Sequence, residues 1–200
     1  MPRETHSITA TDILPLAIWG EQRKQQRADI SALKKHRRVE VGPHACFYFE
    51  NWDTMWYQVQ EMLWIEKGGD AQLVDELAAY NPLIPQGDEL VATFMIEVSD
   101  EARRRALLAE LGGIEDHIAL IVGDERIAPR AENELERTRE DGKTSAVHFL
   151  HFPFNRAAVA AFTSGAEVQI RIDHPHYGHI AILPRAVQDV LMGDFAHATA

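Results

Sequence analysis

Between Trp52 and Leu63 the apolar residues Trp52, Met55, Trp56, Val59, Met62 and Leu63 recur at the 3.6-residue period. That spacing predicts an amphipathic helix, with Asp53 available to cap its start and Gly68-Gly69 to end it. Its first residues also fit the extension of a hairpin. Upstream, residues 9–16 read as a short helix behind Thr9 or Thr11. "IWGEQRKQQRADISALKKHRR" reads as a polar surface helix whose apolar stripe is only Ile30 and Leu33. "RVEVGPHACFYFEN" carries β-formers on both sides of Gly42-Pro43, which predicts two strands and a turn. Residues 71–80 predict another helix, stopped by Asn81-Pro82, and "NPLIPQGDEL" a rigid loop.

The second half alternates strands with short helices. "LVATFMIEV" is a strand, apolar on both faces; Ser99 or Asp100 caps "EARRRALLAEL", and Gly112-Gly113 stops it. "HIALIVGDERIAP" predicts a hairpin around Gly123-Asp124. Residues 131–143 predict a charged loop or short helix. "SAVHFLHFPF", "AEVQIRID" and "HIAIL" are strands, "NRAAVAAFTSG" is a short helix, and "PRAVQDVLMGDF" is a closing helix with Pro184 near its first turn. The mixed order and the hairpins imply an α+β fold, a mainly antiparallel sheet with helices packed against it. No repeat or low-complexity tract divides the chain. Residues 1–200 read as a single globular domain, with 1–37 as a helical N-terminal extension. Neither a Gly-rich phosphate fingerprint nor a nucleophile elbow is present.

Composition narrows the function classes. The chain has 200 residues, a formal net charge of −11 and a pI near 5.3. Such acidity disfavours binding to nucleic acid or to anionic membranes. The basic runs "KKHRR" (34–38) and "RRR" (103–105) read as solvated helix faces. One cysteine, Cys46, excludes an intrachain disulfide and any Cys-rich zinc or iron–sulfur site. Its apolar run predicts a buried thiol. No signal-peptide pattern opens the chain, and no apolar run approaches the roughly 18–20 residues of a membrane span. The sequence thus predicts a soluble, cytoplasmic protein.

The chemistry concentrates in histidines and carboxylates. Three of ten histidines fall in "RIDHPHYGH", Arg171 to His179. Strand parity puts Val168, Ile170, Ile172 and His174 on the apolar face; Pro175 then ends the ladder, leaving His176 and His179 in or beyond the turn. On "KTSAVHFLHFPF", His148 shares a face with Ala146, Leu150 and Phe152, and His151 takes the other. Lost hydration favours the neutral form of such a ring, which can ligate a metal, act as a base, or simply be a hydrogen-bonded core residue. Among carboxylates, Glu50 ends a strand, Glu61 lies on the 54–67 helix near Gln58, and Glu97 ends "FMIE". A His/Glu set of this kind suits iron, manganese or zinc. Solvated or ion-paired carboxylates are the plainer alternative. The joint site has a geometric condition. If strands 145–152 and 167–174 pair antiparallel, His148 and His174 lie close.

Several stretches together, "VGPHACFYFENWDT", "QVQEML", "YNPLIPQGDELVATFMIE", "GIEDH", "DGKTSAVHFLHF" and "DHPHY", resemble the bacterial family called domain of unknown function 3501. The resemblance spans about residues 38–178 and brings no established activity. It implies partners among rubrerythrin-like proteins and iron–sulfur oxidoreductases, and hence redox or peroxide-stress metabolism. The matching polar positions are Glu50, Gln60, Glu61, Asn81, Glu97, Lys143, Ser145, His148, His174 and Tyr177. His151 departs from the pattern, where arginine is usual, and His176 and His179 fall at open positions.

Two functional readings follow. One is a metal-binding accessory protein with a pocket of His148, His174, Tyr177, Lys143, Glu97 and Glu61, in which His148, His174 and Glu97 hold a non-haem divalent metal. The other is a non-catalytic protein, dimeric or docking onto a rubrerythrin-like or iron–sulfur partner.

Overall fold

Two antiparallel sheets arise where the sequence alternates, and helices arise where it follows the 3.6-residue period. The computed structural model describes residues 6–131 and 144–195. Its helices are α1 (Leu16–Lys35), α2 (Trp52–Glu66), α3 (Gly69–Tyr80), α4 (Glu101–Glu110), α5 (Arg156–Thr163) and α6 (Arg185–Leu191). Its strands are β1 (Arg38–Val41), β2 (Ala45–Glu50), β3 (Glu89–Ile96), β4 (Ile118–Val122), β5 (Glu125–Ile127), β6 (Arg130–Ala131), β7 (Val147–Pro153), β8 (Val168–His174) and β9 (Tyr177–Ile182). The fold is α+β. One sheet runs β1-β2-β3-β7-β6 and the other β5-β4-β8-β9, and every described strand pair is antiparallel. The predicted segment 131–143 lies outside the described residues beyond Ala131.

Alternation decides which side of each strand is buried. Phe47, Phe49, Phe94 and Leu150 face inward from the first sheet, and Leu120, Ile170 and Ile172 from the second; together they form one apolar cluster. Leu108 of α4, Phe162 of α5 and Leu191 of α6 complete it. Burying such side chains stabilises by roughly 1.5–3 kcal/mol each. A second cluster lies on the other side of the first sheet, where Val91 meets Trp52, Met55, Val59 and Leu63 of α2. The first sheet is thus covered on both sides, which explains why "LVATFMIEV" carries apolar residues on both faces.

Helix ends follow local chemistry. Asn51, not Asp53, caps α2: its side chain accepts from the Thr54 amide at 3.0 Å, and Thr54 answers the Asn51 amide at 2.9 Å. Asp100 caps α4 and Asn155 caps α5. Helix α1 is held by more than a thin stripe, because Trp19 is fully buried against Trp56 and Tyr57 of α2.

β7 and β8 do not pair, and this corrects the arrangement on which the joint site depended. β7 is hydrogen-bonded to β3 and β6, and β8 to β4 and β9. The connecting helix α5 buries Ala158 and Phe162 in the core and carries the chain from one sheet to the other.

Candidate functional site

His148 and His174 instead approach one short segment, the 3₁₀ turn Ile114–His117, which leads from α4 into β4. The turn is entered through Gly113 at φ 75°, a backbone conformation that favours glycine. Glu115 turns inward, and its Oε2 lies 3.8 Å from Nδ1 of His148. His117 turns outward and meets the His174 ring edge-on, with centroids 5.0 Å apart.

The hydrogen bonds fix what each ring can do. Nε2 of His148 lies 3.0 Å from the Ser145 carbonyl and 3.1 Å from Thr144 Oγ1. A carbonyl only accepts, so Nε2 carries a proton and Nδ1 faces the Glu115 carboxylate. That imidazole side chain has no solvent exposure. His174 is also buried; its Nδ1 accepts from the His176 amide at 3.2 Å, and its Nε2 donates to the Gly112 carbonyl at 3.3 Å. Both ring nitrogens are therefore used, and only the neutral ring can do this. Burial holds the His174 imidazole below its ordinary range.

The other candidates lie elsewhere. Tyr177 follows the β8–β9 turn, but its hydroxyl donates to the Val41 carbonyl at 2.8 Å and accepts from the His44 and Ala45 amides at 2.9 and 3.0 Å. Burial pushes this phenol up, keeping it protonated as a donor. Glu97 lies past the end of β3; it accepts from Tyr48 Oη at 2.7 Å and from Arg38 Nη2 at 3.3 Å. Arg38 Nε also donates to the buried Cys46 thiol at 3.0 Å. Glu61 is gripped by Arg23 through Nε at 2.8 Å and Nη2 at 2.9 Å, with Trp19 Nε1 at 3.1 Å. Lys143 lies outside the described residues.

Structure thus groups His148 and His174 around one turn through Glu115 and His117, two residues that strand parity could not flag. Their signal was the "GIEDH" stretch, which carried the family resemblance but no strand or helix pattern. His148, His174 and Glu97 are not gathered around one point. Among the described residues no group of three or more His, Cys, Asp or Glu side chains is placed to hold a metal ion. His179, which strand parity left in or beyond the turn, is half-buried on β9, its ring tilted against that of Tyr177 with centroids 4.4 Å apart. Among the described residues no helix is long and apolar enough to cross a membrane.

Comparison with known proteins identifies the family. A crystal structure of a novel protein of unknown function from Burkholderia pseudomallei K96243 is 42% identical and superimposes with a TM-score of 0.88, covering 94% of this chain and 98% of that one. No curated protein matches the chain. The family model described as protein of unknown function (DUF3501) matches residues 7–195. With nearly its whole length matched, the chain belongs to that family.

Proposed function

We propose that this is a non-catalytic docking protein, which seats a partner segment in the groove between α1 and α2. What supports this reading is a contrast in how side chains are used. Glu61, Glu97, His174 and Tyr177 are committed to internal hydrogen bonds. The helical layer, in contrast, keeps an open concavity of about 250 Å³, walled by Ile30 and Leu33 of α1 and Trp56 and Tyr57 of α2. Asp29 lies at its rim, on a chain of net charge −11. Apolar walls with an acidic rim suit an amphipathic segment that presents an aliphatic or aromatic side chain beside Lys or Arg. The partners to test are those the family resemblance implies, a rubrerythrin-like protein and an iron–sulfur oxidoreductase.

The test is calorimetric titration of the purified protein with each purified partner. The expected result is saturable binding to one of them, weakened at least about tenfold by Leu33→Glu, a loss of about 1.4 kcal/mol. An unchanged circular dichroism spectrum shows that the variant is folded. No binding to either partner, or binding indifferent to Leu33→Glu, overturns the proposal. Sedimentation of the protein alone separates it from self-association through Ile180 and Ile182, which lie exposed on edge strand β9.

A further inference from the structure

The β8–β9 connection is a two-residue turn, Pro175-His176, between paired His174 and Tyr177. Neither turn residue has a positive φ, so the turn lacks the primed geometry that matches strand twist. It is held instead by a side chain. Nδ1 of His174 accepts from the amide two residues on, as an Asx side chain does in a turn of its own. The ring is anchored from its far side by the Nε2–H bond to the Gly112 carbonyl.

We propose that His174 is a proton-operated latch on the β8–β9 turn, closed by the neutral ring and opened when Nδ1 takes up a proton. A proton there converts the acceptor into a donor that faces the His176 N–H, and the turn loses its tether. The Gly112 bond survives, because Nε2–H donates in both states. Release is therefore confined to the turn and to the residue after it, Tyr177, whose hydroxyl hooks the β1–β2 turn. The latch thus sits at a link between the two sheets.

The groups around the ring set how readily it takes up a proton. His117 of the 3₁₀ turn stands 5.0 Å away and His176 5.9 Å away, ring to ring. Asp173, the preceding residue on β8, is engaged by His117 at 3.2 Å and by Arg126 of β5 at 3.9 Å. Glu115 is turned to His148 of β7. β4 brings only aliphatic side chains, β9 brings the hooked Tyr177 and the half-buried His179, and β1 turns Val39 and Val41 inward. Burial lowers the His174 pKa from its ordinary 6.5, and His117 and His176 lower it further, against the pull of the Gly112 carbonyl. The unfolded or opened ring thus binds a proton more readily than the latched one. The latch is fully closed above the ordinary value and weakens as pH falls through it toward the lowered value.

Ring and amide NMR of the intact protein tests this. As the pH is lowered from about 7.5 to about 5, the physiological window of imidazole titration, the His176 and Tyr177 amides are expected to lose exchange protection. The loss should follow the His174 ring titration, while the amides of 112–117 keep theirs. His174→Asn retains an acceptor that takes no proton and should flatten the response. His117→Gln and His176→Gln, which leave the latch ring in place, should preserve it. Protection independent of pH in the native protein overturns the proposal, whether or not the Asn variant folds. So does a wild-type response in His174→Asn.

Discussion

The Tyr177 hydroxyl spends its one donor and both acceptor positions on a single hairpin, bonding Val41, His44 and Ala45. Tyr177→Phe removes one oxygen and strands three backbone groups, two of them N–H. At about 1–3 kcal/mol for each buried group left unpaired, partly offset by water, the expected loss is about 2–4 kcal/mol by urea denaturation. Gly42 on the same turn allows no substitute. Its φ is 70°, and a Cβ there would run into the His179 ring and the Tyr177 hydroxyl. Gly42→Ala should destabilise by about 2 kcal/mol or more, in the same measurement. At this scale parity in the sequence was informative: it put His174 and His148 on buried faces, and both are buried. It said nothing of the atoms those rings bind. Gly112, Ser145 and Glu115 come from other stretches of chain or from backbone carbonyls, which leave no mark in side-chain periodicity.

Helices α1 and α2 are joined by the Arg23–Glu61 fork and by Trp19, and this pairing shapes the proposed docking groove. The Arg23 guanidinium, more than any other group, holds the Glu61 carboxyl below its ordinary range. A carboxyl whose folded pKa is depressed contributes stability above its unfolded value and loses it as pH falls through the folded one. Native protein should therefore lose stability on acidification below the ordinary value of 4.5, while Glu61→Gln removes that part of the slope. Thermal melts across that interval check it. Periodicity identified α2 because its apolar positions face a sheet. The strength of the α1 attachment was hidden, since one buried Trp19 does not make a stripe.

Arg37 and Asp194 tie the α1–β1 connection to the end of the described chain. Arg37 is buried and donates to the Phe49 and Glu50 carbonyls at 2.8 and 2.9 Å, and to the Asp194 carboxylate at 2.5 Å. Burial pushes the Asp194 carboxyl up, and Arg37 pulls it down. Removing one partner leaves a buried charge, so Arg37→Leu should cost about 3–5 kcal/mol, whereas adding Asp194→Leu should recover much of that loss. Urea denaturation of the single and double variants measures it. The docking proposal also carries an expectation for the whole molecule. Elemental analysis of untagged protein should find iron, manganese and zinc well below one per chain, and stoichiometric metal would return the accessory metal-binding reading to first place.

Sequence alone determined the α+β class, the existence of nearly every helix and strand, and the family. These depend on local properties: the period of apolar positions, caps, turn residues and the order of unusual motifs. Only tertiary structure decided which strands became neighbours beyond the predicted hairpins β1–β2 and β4–β5. His148 and His174 lie on consecutive strands with matching parity, and an antiparallel pair would have joined them. Helix α5 spends its apolar face in the core and carries the second strand into the other sheet, an outcome set by how two sheets share one core. The histidines meet a common turn instead of each other, through Glu115 and His117.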